Sequence, residues 1–162
     1  MAYDIYDASI PPMIHMLGGL ITILSKGEAH GGIDPGEARL APDMLPLKNQ
    51  VYIATDAAKG CGARLTGVDI PKYEDTETSF AELKQRIAKT LAYIDSVPAS
   101  AIEGSETREI TTGSGEKTKH FTGQSYLFHY ALPHFFFHAT TAYDILRHNG
   151  LDIGKKNFIG TY

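Results

Sequence analysis

Histidine is frequent in this chain, and its placement suggests where chemistry could occur. Seven of the 162 residues are histidine, and three of them, His129, His134 and His138, fall in the most apolar stretch. Residues four apart project from one face of a helix about one turn apart. His134 and His138 are therefore predicted to present two imidazoles side by side. Such a pair can bind a divalent metal, exchange protons near neutral pH, or hydrogen-bond to protein groups in a core.

A metal site would need a third ligand from another helix. The sequence offers His15 and His30 in the first predicted helix, and Asp43, Gln50 and Asp56 at or near the second. No second Glu/His motif accompanies the pair, which argues against a di-iron bundle, where several helices supply carboxylates. The residues alone leave open a metal site and a set of core histidines.

The sequence around the histidine pair is rich in aromatic residues and contains one proline. Phe128, Tyr130, Phe135–Phe137 and Tyr143 could form core or the walls of a pocket for a flat organic molecule. Pro133 lacks a backbone N–H, so it predicts either a kink in one long helix or a helix that begins there after a separate, shorter piece. A kink would leave free carbonyls near a polar pocket.

A small-molecule site in the bundle core is the leading functional hypothesis. If the site is catalytic, His138 is the predicted acid/base, with His134 beside it, because a neutral imidazole exchanges protons near pH 7. We expect the ligand to be contacted by four further side chains: Gln50, Asp43, Tyr52 and Tyr143. The sequence does not choose among hydrolytic, transferase and isomerising reactions. A non-catalytic metabolite-binding dimer and a purely structural bundle stay open as alternatives.

The elements that would position these residues are mostly helical. Apolar residues recur at spacings of three and four in four stretches, and a polar, β-prone stretch surrounds a glycine-rich turn. These patterns predict an all-α fold, a four-helix bundle with a small β-hairpin between helices 3 and 4, in a single domain over residues 1–162. The predicted helices run over Ser9–His30, with Pro11 and Pro12 in the first turn, Pro46–Leu65, Phe80 to before Pro98 and Gly123–Gly150, and the hairpin over Thr107–Thr122.

Composition and charge exclude several classes of function. The formal net charge is −4 and no basic stripe is present, so we expect no nucleic-acid partner. Met1–Tyr6 has no signal-peptide pattern, and the apolar stretches are broken by Gly18, Gly19 and Lys26, so no membrane span is expected. The single cysteine, Cys61, also fits a cytoplasmic location.

Three stretches resemble a known family: Arg39–Leu47 with Gln50, Pro133–Gly150, and Gly154–Gly160. They are similar to a bacterial and fungal domain of unknown function, number nineteen ninety-three, within the DinB/YfiT-like superfamily. The resemblance covers nearly the whole chain, and the Pro133–Gly150 block is specific. It implies a four-helix bundle that is often a homodimer.

The resemblance also implies a divalent metal, because the wider superfamily binds one through three histidines. One lies on the second helix, and a His-x-x-x-His pair lies on the last. His134 and His138 match that pair, and Leu146-Arg147 stands at a matching distance beyond it. The predicted second helix contains no histidine, and Gln50 takes the equivalent position. Two imidazoles and an amide make a poor site for Zn²⁺ or Ni²⁺.

Overall fold

The computed structural model describes residues 3–162. The chain is mostly helical, with one small antiparallel sheet of two strands. In chain order the elements are α1 (Ile5–His30), α2 (Leu47–Thr66), α3 (Phe80–Asp95), α4 (Ala99–Ile102), β1 (Glu109–Thr112), β2 (Lys119–Thr122), α5 (Gly123–Tyr126), α6 (Leu132–His148) and α7 (Lys155–Ile159). Contacts between α2 and α6 and between α1 and α3 dominate the packing, and the apolar faces of these helices form one core.

Helix α1 begins earlier than predicted, at Ile5 instead of Ser9. The Asp4 side chain accepts the backbone N–H of Tyr6 at 2.8 Å and so caps the helix one turn upstream. Pro11 and Pro12 consequently lie inside the helix and not in its first turn. The predicted start was wrong because it relied on the proline preference for first turns and overlooked the aspartate cap.

The starts of α2 and α3 and the hairpin follow the sequence signals. Helix α2 begins directly after Pro46, and α3 begins after Ser79, whose side chain and backbone exchange hydrogen bonds with Glu82 in a capping box. Strands β1 and β2 pair with Glu109 opposite Thr122, within the predicted hairpin.

One buried arginine ties the long connection between α2 and α3 to both helices. The guanidinium of Arg86 lies within 3.1 Å of carboxylate oxygens of Asp56, Asp75 and Glu77. Its Nε also donates to Thr55 Oγ1 at 2.8 Å. Asp75 and Glu77 belong to the non-helical connection, so Arg86 fixes that segment against α2 and α3.

The last helical segment is continuous through Pro133, as in the first of the two alternatives. The backbone stays helical from α5 into α6, so no separate piece precedes the proline. Residues 127–131 form a π-helical turn, in which the backbone N–H of Leu132 donates to Leu127 O. This wider turn lies directly before Pro133, where the missing N–H would interrupt the α-helical ladder.

Helix α1 is the one described element that is long and apolar enough to cross a membrane. Half of its most apolar window is buried inside the fold. Core helices that pack against other helices pass the same test, so this is weak evidence for a membrane segment.

The C-terminal helix α7 packs on α1 at a glycine. A Cβ built on Gly19 would stand 1.9 Å from the carbonyl oxygen of Phe158, whereas one on Gly18 would meet nothing within 4 Å. His15 Nε2 also donates to the carbonyl of Ile159. Close approach of another helix therefore explains Gly19 but not Gly18.

We expect opposite effects from alanine at these two neighbouring glycines. Gly19→Ala should lower the free energy of unfolding by about 1–3 kcal/mol, because a backbone carbonyl must move. Gly18→Ala should raise it by about 0.5–1 kcal/mol through helix propensity. Urea denaturation of both variants measures the difference. Equal effects at the two positions would contradict the close packing of α7.

Candidate functional site

The candidate site lies between α2 and the last helical segment. Four aromatic side chains on that segment are spaced by four residues: Tyr126, Tyr130, His134 and His138. Their neighbouring ring centroids are 5.9, 5.3 and 5.0 Å apart, so they form one continuous stripe. The spacing stays aligned through the π-helical turn because that turn holds more residues than an α-helical one.

The His138 end of the stripe is joined to α2 by a buried amide. His138 Nδ1 lies 2.7 Å from Gln50 Oε1, and Gln50 Nε2 donates to the carbonyl of Leu45 at 2.9 Å. Because the amide nitrogen faces Leu45, the amide oxygen faces the ring, and Nδ1 must carry the proton. The other ring nitrogen, Nε2, then has a free lone pair in the neutral imidazole.

The Tyr126 end is joined to α2 by an arginine. Arg64 Nη1 donates to the buried Tyr126 hydroxyl at 3.1 Å. Burial raises the pKa of Tyr126, so the phenol keeps its proton at neutral pH. Since Gln50 meets His138 and Arg64 meets Tyr126, α2 and the last segment run antiparallel across the site.

Smaller residues between these two ends leave a cleft of about 200 Å³. Its lining combines aromatic rings, small apolar side chains and one charge of each sign: Ile53, Asp56, Ala57, Arg64, Tyr126, Tyr130, Ala131 and His134. His134 therefore lines the cleft directly, and His138 stands one helical turn further along the stripe.

Both histidines are neutral near pH 7. Burial, and next the repulsion from His134 when that ring is protonated, lowers the pKa of His138 to about 4. Burial and the nearby cations Lys119 and Arg64 also lower the pKa of His134. Within residues 3–162, neither ring nitrogen of His134 has a hydrogen-bonding partner, so both nitrogens are available to a ligand.

The donor set does not fit the three-histidine metal site that the resemblance implies. Gln50, which the resemblance implies at the α2 position, has its amide oxygen at His138 and its amide nitrogen at the Leu45 carbonyl. Among the described residues, no group of three or more His, Cys, Asp or Glu side chains is arranged to hold a metal ion. A pair of imidazoles supplies fewer than the three protein ligands of a catalytic zinc site.

The other predicted ligand-binding residues lie in different surroundings. The Tyr52 hydroxyl donates to the Glu77 carbonyl, and its ring stacks at 4.7 Å on Arg86. Tyr143 donates to the carbonyl of Ile153 at 3.3 Å, and Asp43 is exposed in the loop before α2. The structure brings Gln50, His134 and His138 together. It does not bring Tyr52, Tyr143 and Asp43 to the cleft.

The remaining candidates for a third metal ligand are also engaged elsewhere. His15 contacts the carbonyl of Ile159, and His30 contacts that of Gly31 at 2.8 Å. Asp56 lines the cleft but pairs with Lys59 at 2.9 Å and Arg86 at 3.0 Å. Among these candidates within residues 3–162, Gln50 is the one that contacts the histidine pair, at His138.

The sequence analysis did not identify Arg64 and Tyr126 as ligand-facing groups, and it left Tyr130 open as either core or a pocket wall. The two tyrosines had a usable signal, since they continue the four-residue spacing of His134 and His138 toward the N-terminus. Arg64 had none, because its role depends on how α2 packs against the last segment.

We expect protein stability to fall in mild acid because of His138. Its folded-state pKa of about 4 lies below the ordinary value of 6.5, so the stabilisation is complete above about pH 6.5 and is lost as pH falls toward 4. After allowance for solvent screening of a half-buried ring, the loss should be about 1–2 kcal/mol.

Urea unfolding at several pH values measures this loss, with His138→Gln and His148→Gln compared with the parent protein. The His138→Gln variant should show a flatter dependence, and the exposed His148 serves as the control. Parallel curves for His138→Gln and the parent protein would contradict a neutral, buried imidazole.

Comparison with known proteins places the chain in a family and supports its fold. The sequence model of a family described as "Domain of unknown function (DUF1993)" matches residues 5–159. The crystal structure of a DinB family member protein from Shewanella denitrificans superposes with a TM-score of 0.89 at 39% identity, over 97% of this chain and 92% of that one. No curated protein matches.

Proposed function

This chain belongs to the DUF1993 family and has a DinB-like helical fold, and on that premise we propose that it is a metal-independent small-molecule-binding protein. The ligand occupies the cleft between α2 and the last helical segment. The observation that carries the proposal is the contact of His138 Nδ1 with Gln50 Oε1, which uses the α2 position for orienting an imidazole. His134 then faces the ligand as a neutral ring.

The chemistry that this arrangement supports is proton exchange with a bound ligand. A neutral imidazole offers one N–H donor and one lone pair. His134 can therefore both donate to and accept from the ligand, while Gln50 holds Nδ1–H of His138 and leaves the Nε2 lone pair as a hydrogen-bond acceptor one turn further along. Binding without turnover is the alternative, since the same neutral rings serve recognition equally well.

We assign residues 1–162 to a single four-helix-bundle domain, supported by the mutual packing of α1, α2, α3 and α6. We also propose a homodimer, as the family resemblance implies, located in the cytoplasm. The net charge of −4 supports only the absence of a nucleic-acid partner.

A fragment screen with a matched pair of variants tests the proposal. Ligands that bind only the folded protein raise its melting temperature by mass action. We expect hits with the parent protein and with His148→Ala, whose histidine is exposed at the end of α6, but weaker or no shifts with His134→Ala. Hits that bind His134→Ala as tightly as the parent protein would contradict a ligand site at this cleft.

A further inference from the structure

Arg64 brings an unneutralised positive charge to the cleft. A guanidinium has five N–H donors, and within residues 3–162 the one hydrogen bond that the Arg64 guanidinium makes is to the Tyr126 hydroxyl. No described carboxylate lies within 4.0 Å of it, whereas the buried Arg86 has three carboxylates within 3.1 Å. Arg64 is half-buried, so its charge is less screened than that of a fully exposed arginine.

The acidic residue of the cleft does not cancel this charge. Asp56 already has two cations on one carboxylate oxygen, Lys59 Nζ at 2.9 Å and Arg86 Nη2 at 3.0 Å. A further cation, Lys119 Nζ, lies 5.4 Å from the ring centroid of Tyr130, on the hairpin beside the stripe. The stretch of the cleft near Tyr130 therefore favours negative charge.

The Tyr126 hydroxyl adds a second donor beside Arg64. Its oxygen accepts from Arg64 Nη1, which leaves the phenolic hydrogen free for another acceptor. Charge-assisted hydrogen bonds from a guanidinium to a carboxylate are among the strongest polar contacts in proteins. Arg64 and Tyr126 together form a donor pair suited to a carboxylate.

The rest of the cleft suits a flat apolar body of limited size. The Tyr130 and His134 rings form one wall, and Ile53, Ala57 and Ala131 supply small aliphatic surface. An engineered cavity of about 150 Å³ accommodates benzene. The cleft volume of about 200 Å³ leaves room for one six-membered ring and one carboxylate group.

We infer that the ligand of this site is a small monocyclic carboxylate of about the size of benzoate. Its carboxylate lies on Arg64 and the Tyr126 hydroxyl, and its ring lies against Tyr130 within reach of His134. This inference rests on the proposed function, because it assigns a chemical class to the ligand of the same cleft.

Benzoate and its neutral analogue benzamide test the inference as paired probes. Dissociation constants are measured by ¹H–¹³C NMR titration of the histidine rings in the parent protein, Arg64→Gln and Arg108→Gln. We expect benzoate to bind the parent protein at least tenfold more tightly than benzamide does. Arg64→Gln should abolish that preference, and Arg108→Gln, which removes the same charge from an exposed position outside the cleft, should keep it.

Two further arms keep the test decisive. Arg64→Lys retains the cation and should keep part of the benzoate preference, which separates loss of charge from loss of folding. If benzoate and benzamide bind alike and His134→Ala weakens both, the carboxylate inference fails while the proposed function stands. Absence of benzoate binding to the parent protein overturns the inference, and the fragment screen against His134→Ala then decides the proposed function separately.

Discussion

Replacement of the buried Arg86 by methionine is expected to lower the free energy of unfolding by about 3 kcal/mol. The substitution removes a fully buried cation that three carboxylates share, and it leaves Thr55 Oγ1 without its donor. Breaking a buried ion pair from one side typically costs about 3–5 kcal/mol. The lower end applies here because the Asp56 and Asp75 side chains are 46% and 55% exposed and can be hydrated.

Urea denaturation of Arg86→Met beside Lys84→Met measures this effect. Lys84 pairs with Glu28 on the surface, and such pairs contribute about 0–1 kcal/mol, so the control should lose little. Faster hydrogen exchange in residues 67–79 of Arg86→Met would show that the α2–α3 connection has been released. A loss below 1 kcal/mol would mean that Arg86 is not the main anchor of that segment.

The second large effect is a gain of metal binding on Gln50→His. An imidazole at this α2 position would stand where Gln50 Oε1 now meets His138 at 2.7 Å, and it would complete a set of three nitrogen ligands with His134. Three protein ligands plus water are the usual arrangement of a catalytic zinc site. We expect the affinity for Zn²⁺ or Ni²⁺ to rise by about 100-fold or more relative to the parent protein.

Isothermal titration with each metal measures this gain, and Asn49→His provides the matched control. That variant adds an imidazole one residue away on α2, outside the contact with His138, so its affinity should stay close to that of the parent protein. Equal gains from both variants would show that added histidine binds metal non-specifically. No gain from Gln50→His would contradict the proposed correspondence of Gln50 with the metal-binding position.

The sequence was sufficient for most of the helical pattern and the hairpin. Ser79 and Glu82 form the capping box at the start of α3, and Pro46 directly precedes α2, because these signals act within one or two turns of the chain. The start of α1 was missed because an aspartate cap competes with a proline signal. The π-helical turn before Pro133 was also missed, since it depends on how the whole segment accommodates a missing donor.

Residues of the site could be predicted only where they lie on one helix or beside stretches that resemble a known family. The His134–His138 pair follows from helical spacing, and Gln50 from the resemblance of the flanking stretches. The positions of Tyr52 and Tyr143 could not be predicted, because an aromatic residue with a hydroxyl group suits a pocket or a structural hydrogen bond equally well. Arg64 could not be predicted, because its position at the cleft depends on how α2 packs against the last helical segment.

The metal content of the purified protein is the most direct test of a metal-independent histidine pair. Elemental analysis is made on the parent protein beside the His134→Ala/His138→Ala double variant, after purification without chelators and after equilibration with Zn²⁺ and Ni²⁺ followed by desalting. We expect far less than one metal ion per chain in both proteins, because Gln50 orients His138 and no third ligand within residues 3–162 meets the pair. About one metal ion per chain in the parent protein, lost in the double variant, would contradict this expectation.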